Sequence, residues 1–145
     1  MKNKLNDFIE FLKVRIDYTL YTLKHKIAFL KVEKQLRGKN TLNGYLHDIE
    51  KPILYLFCFW MNINEIHQFH QKHNRHHVEN NLHKSNEDIM ETVIDWECAR
   101  MTKPDKPLNA YDTLIKFYPE HITTYLPIIK QYLPHQIREK QHQKQ

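Results

Sequence analysis

The stretch LNDFIEFLKVRIDYTLYTLKHKIAFL, residues 5–30, sets the fold class. Its apolar residues Leu5, Phe8, Ile9, Leu12, Ile16, Leu20, Leu23, Ile27 and Leu30 recur every three or four positions. That is the period of an α-helix, so the stretch reads as one long helix or two in series. Gly38 with Asn40 closes it as a C-cap and turn.

Outward from this segment the helical reading continues. Only two glycines, Gly38 and Gly44, interrupt the 145 residues, and no segment alternates apolar and polar residues between hairpin turns. A second helix is expected over residues 41–48, and Pro52 suits the first turn of the next piece, residues 53–61. Asn62 or Asn64 caps a third helix carrying a run of histidines. Ser85 with Asp88 forms a capping-box pattern that opens a fourth, through Arg100. Pro104 and Pro107 force a break, residues 108–118 form another helix stopped by Pro119, and a last amphipathic stretch starts at Ile122 with a bend at Pro127. The expectation is all-α: one bundle of about six to seven helices over residues 1–135, and a polar tail, 136–145, that frays.

Composition narrows the classes. At 41% hydrophobic and 27% charged residues, the chain is globular and long enough for one core. Cys58 and Cys98 form no CxxC pair, so a disulfide framework or thiolate zinc site is not expected, and a reducing cytoplasm fits best. The longest apolar run, residues 53–61, falls far short of the ~20 residues that span a bilayer, and the amino terminus lacks the pattern of a signal peptide. No membrane partner is expected. The net charge of +5 is compatible with nucleic acid and equally with a small phosphorylated molecule. The run containing Phe57, Phe59 and Trp60 serves equally as core or interface, which leaves a homo-oligomer open.

Histidine is the unusual component. There are 11, and seven of them are His47 or lie between His67 and His83. Imidazole with carboxylate suits a borderline transition metal. The string Leu46-His47-Asp48-Ile49-Glu50-Lys51-Pro52 carries such a pair. It resembles the signature of the HD-domain superfamily, helical metal-dependent phosphohydrolases whose ligands run His, His-Asp, distant Asp. The resemblance covers roughly residues 21–100 and implies an HD-like bundle with His25, His47, Asp48 and Asp95 as metal ligands. Glu50 departs from it, since the family often has glycine there.

If the following segment is helical, His70, His73 and His77 share one face while His76 points about a quarter-turn away. His73 and His77 are the first choices for a second ion. The cofactor expected is one or two divalent transition metals, Mn, Fe, Co, Ni or Zn. Asp48 and Lys51 take catalytic roles by the same resemblance, and Lys51, Arg75, Arg100, Lys103 and Lys106 are candidate contacts for an anionic substrate. The function implied is hydrolysis of a nucleotide or other small phosphate ester, with nucleic acid less favoured. One alternative uses the same ligand set, an HD-fold di-iron oxygenase; the other is a non-catalytic nucleotide-binding module, which has no chemical need to keep the complete set.

Overall fold

Four helix starts in this chain are fixed by side chains that accept the backbone N–H groups a first turn leaves unpaired. In the computed structural model, which describes residues 2–103, 105 and 108–141, with side chains for 4–103, 105 and 108–137, Thr41 caps α2 (Leu42–Leu46) through Gly44 N. Asn62 and Glu65 form a full capping box on α4 (Ile63–His73), and Ser85 and Asp88 do the same for α5 (Asn86–Thr102). Asn109 caps α6 (Ala110–Phe117). The remaining helices are α1 (Lys2–Arg37), α3 (Glu50–Phe57), α7 (Ile122–Tyr132) and α8 (Pro134–Gln141), with a 3-10 turn at Pro119–His121. No strand occurs among the described residues, and the all-α expectation holds.

Residues 5–30 belong to one unbroken helix, and Gly38 ends it with φ 76°. α1 lies across the molecule against α3 and α5; α5 in turn packs on α6 and α7. The apolar core sits on the far side of α5 from α1, where Ile89 and Val93 meet Leu114, Tyr125, Ile129 and Leu133. A smaller cluster of Phe29, Val32, Met90, Ile94 and Cys98 joins α1 to α5.

The inward face of α1 is mostly polar. Arg15, Thr19, Thr22, His25 and Glu33 are buried, whereas Leu5, Ile9, Ile16, Leu20, Leu23 and Ile27 are exposed. An apolar helical stripe ordinarily faces a core; here it faces outward. The buried polar groups find partners instead. Arg15 donates to the carbonyls of Leu54, Tyr55, Cys58 and Met61, capping the end of α3 with a cation where the helix dipole favours one. Glu33 accepts from Thr41 N at 3.2 Å and Thr41 Oγ1 at 2.6 Å, pinning the start of α2. Gly44 lies so close to that carboxylate that a Cβ there would collide with it.

The stretch after Pro134 reads from the sequence as lacking an apolar stripe. It is helical through Gln141, and Gln136 is buried, donating to Glu97 Oε2 and accepting from Tyr111 N. These bonds anchor a segment that has no apolar stripe. Residues 142–145 lie outside the described ones.

Candidate metal centre

Five segments deliver imidazoles and carboxylates to one region of the interior. α1 contributes His25, the α2–α3 corner His47 and Asp48, α4 His70, the loop after it His76, and α5 Asp95. The corner is formed by an unusual backbone. His47 ends α2, and Asp48 takes φ 56°, a left-handed conformation that only short polar side chains adopt at low cost. That turn lets neighbouring residues, which diverge by ~100° on a helix, aim at the same place.

The distances describe two linked groups. His25 Nε2 is 2.7 Å from Asp95 Oδ1, and His47 Nε2 is 3.6 Å from the same oxygen. Asp48 Oδ1 lies 3.7 Å from His47 Nε2, 3.1 Å from His70 Nε2 and 3.5 Å from His76 Nε2. Asp48 is thus central, shared between an imidazole on the His25–Asp95 side and two on the other. His47 Nδ1 and Nε2, Asp48 Oδ1 and His70 Nε2 are all buried without a hydrogen-bond partner. Buried polar atoms are ordinarily paired. A cation held by several of these atoms would account for them, and the mixed nitrogen and oxygen set would suit Mn, Fe, Co, Ni or Zn.

The outer contacts orient the donors. The ring of His47 stacks on Phe29 at 3.9 Å, and His25 Nδ1 lies 3.3 Å from Thr102 Oγ1. His70 Nδ1 is held by Glu50 Oε1, which also accepts from Asn74 Nδ2. Such carboxylate–imidazole contacts fix which ring nitrogen faces a metal, so Glu50 has a local use at the position where it departs from the HD pattern. Lys51 Nζ donates to Asp48 Oδ2 at 2.8 Å, and Lys26 Nζ donates to the carbonyl of His47 at 3.0 Å.

Electrostatics favour ionised carboxylates and a neutral His76, whereas at His47 and His70 burial, which lowers an imidazole, is outweighed by Asp48 together with Asp95 and Glu50, and both rings are raised. Burial opposes ionisation of Asp48, but His47, His70 and Lys51 outweigh it and hold its carboxyl well below the ordinary range. Asp95 is likewise lowered, burial being overcome by its hydrogen bond to His25 and the nearby imidazole of His47. Burial, then the neighbouring His47, pushes His76 down to about 2, which keeps it neutral. Burial with nearby acidic side chains raises Glu91 to about 7; it sits 3.9 Å from His76 Nδ1.

His25, His47, Asp48 and Asp95, expected from the sequence, come together. His73 does not. α4 ends at Asn74, so the face projected through His70, His73 and His77 is broken there, and His73 is exposed with Nδ1 donating to the Phe69 carbonyl at 2.7 Å. The turn that follows brings His76 inward instead. His77 is half-buried, with donor atoms near those of His70 and His76. His70 and His76 were legible as members of the cluster, but only the helix end, marked by Asn74, decides between them and their neighbours.

The expected substrate cations divide similarly. Lys103 lines a cleft of about 510 Å³ that opens onto Asp95 and His76. Arg75 is exposed and does not line this cleft, and Arg100 is paired with Glu97. Lys106 lies outside the described residues. Lys116, not expected from the sequence, lines the same cleft, as do Trp96 and Tyr118, whose rings stack at 5.3 Å and 7°. None of the described helices is long and apolar enough to cross a membrane. No protein-family model, curated protein or solved structure matches the chain.

Proposed function

We propose that this chain is a metal-dependent phosphohydrolase acting on a nucleotide or another small phosphate ester. The observation that carries the reading is the convergence of His25, His47, Asp48, His70, His76 and Asp95, with buried donor atoms on His47, Asp48 and His70 that no protein group satisfies. The resemblance of residues 46–52 to the HD-domain signature points the same way.

His25, His47, Asp48 and Asp95 would hold one ion, and His70 and His76, sharing Asp48, a second. When bound, such ions supply Lewis-acid charge and lower the pKa of a coordinated water. The chain's own residues do the rest. Asp95, with 26% of its side chain accessible, connects the buried donors to the cleft. Lys103 and Lys116 give the cleft cationic groups for an anionic substrate, and the stacked Trp96 and Tyr118 give it an aromatic wall. Lys51 neutralises Asp48, and Glu50 and Thr102 keep His70 and His25 aimed inward.

The test is phosphate release from a panel of nucleotides and small phosphate esters, using untagged protein loaded in turn with Mn, Fe, Co, Ni and Zn. The reading expects metal-dependent turnover of at least one substrate, lost in His47→Ala and reduced in Lys103→Ala. Metal-loaded protein that releases no phosphate but consumes dioxygen with two bound irons would replace it with the oxygenase. Tight nucleotide binding unaffected by His47→Ala would replace it with a binding module.

A further inference from the structure

The unpartnered face of α1 is the largest feature that the metal centre leaves unused. Leu5, Ile9, Ile16, Leu20, Leu23 and Ile27 are between 41% and 70% exposed, Phe8 is 55% exposed, and Leu12 and Leu30 are half-buried. At 100° per residue the leucines and isoleucines fall within an arc of about 80°, a straight stripe running about 37 Å along the helix. The largest apolar patch on a typical monomer is roughly 300–600 Å². The exposed part of this stripe alone is on the order of 700 Å², close to the roughly 800 Å² that each partner contributes to a stable protein interface.

We propose that this face is a homodimer interface in which α1 of one copy pairs with α1 of a second in antiparallel orientation. Three observations select this occupant. The first is spacing: the stripe residues run 5, 9, 12, 16, 20, 23, 27, 30, nearly the same read from either end. A two-fold axis close to residues 17 and 18 therefore sets Leu5 against Leu30, Ile9 against Ile27, Leu12 against Leu23 and Ile16 against Leu20. Each apolar side chain meets another, as an isologous interface requires.

The second is charge. Exposed charges over residues 4–17 are the acids Asp7, Glu10 and Asp17 with Lys4 and Lys13, whereas those over residues 24–34 are Lys24, Lys31 and Lys34. Antiparallel pairing lays a half of balanced charge, Lys4, Asp7, Glu10 and Lys13, on the basic half and brings Glu10 opposite Lys24, while Asp17 meets its own copy at the axis. Parallel pairing would set three lysines against their own copies, which is unfavourable. The third is burial: the polar inward face, bonded through Arg15 and Glu33, fixes the rotation of α1, so the stripe cannot turn into the monomer core. This inference stands on α1 alone and does not depend on the metal centre.

Sedimentation equilibrium of the full chain tests it. The expected result is a concentration-dependent species of twice the 17.8 kDa monomer mass. Ile16→Glu combined with Leu20→Glu, which places four acids at the two-fold axis, should give a monomer with unchanged helical circular dichroism. Glu10→Lys should weaken dimerisation several-fold, and adding Lys24→Glu to it should restore the wild-type constant. That charge exchange decides the matter even where the double glutamate variant fails to fold. A wild-type monomer at ~100 μM, a dimer indifferent to both sets of changes, or a monomer that floats with phosphatidylserine vesicles would overturn the proposal, the last in favour of a lipid surface.

Discussion

The two faces of α5 are held in place by opposite physics. Toward α6 and α7, Ile89 and Val93 pack against Leu114, Tyr125, Ile129 and Leu133 in an apolar core whose stability comes from removing hydrocarbon from water. Toward α1, Asp95 meets His25 and His47, and the surrounding donors include buried nitrogen and oxygen atoms with no partner. Burial of such atoms costs free energy unless something binds them. One face of α5 is held by apolar packing alone, while the other adds to the Phe29–Ile94 cluster a set of buried polar atoms whose unmet demand a cation would relieve.

Substitutions on the two sides should therefore respond differently to metal. The largest effect is expected on the apolar side: Ile129→Ala, at a fully buried site, should lose about 4 kcal/mol in urea unfolding, by the same amount with and without metal. A loss that depended on metal would mean that the two faces are one cooperative site. Next, a divalent transition metal at a hundred times its dissociation constant should raise wild-type stability by about 2.7 kcal/mol, seen as a higher melting temperature. Glu50→Gln weakens the contact that orients His70 and should lower metal affinity by about 10- to 100-fold in competition titrations, leaving the metal-free protein folded. The smallest effect is expected for His73→Ala, which should change stability by less than about 0.5 kcal/mol and leave metal stoichiometry intact. A lost ion in that variant would return His73 to the ligand set.

How much of this was legible depended on whether the signal was local. Helix starts at Asn62, Ser85 and Thr41 were readable because a cap is a matter of a few neighbouring residues. The pairing of His47 with Asp48 was readable as a string, and His25 and Asp95 by their order relative to it. The rotation of α1 was not, because periodicity locates a stripe without saying that Arg15, Thr19, Thr22 and His25 form the buried side. The exchange of His73 for His70 and His76 turned on a single helix end at Asn74, one turn earlier than a continued helix would place it. Lys116 and Tyr118 reach the cleft because α6 packs against α5 and α7, a long-range arrangement with no local signature. The anchoring of Gln136 by Glu97 and Tyr111 has the same origin.

The central claim is that Asp48 is the shared member of a metal-binding set. Asparagine tolerates the left-handed backbone at this position and nearly matches aspartate in shape, so Asp48→Asn removes the charge while sparing the fold. Elemental analysis of untagged wild-type protein and this variant, purified side by side, is the most direct test. The account predicts one or two transition-metal ions per wild-type chain and fewer in Asp48→Asn at unchanged helical content. Wild-type protein free of metal after growth and reconstitution with Mn, Fe, Co, Ni and Zn, or a variant that retains the full complement, would contradict it.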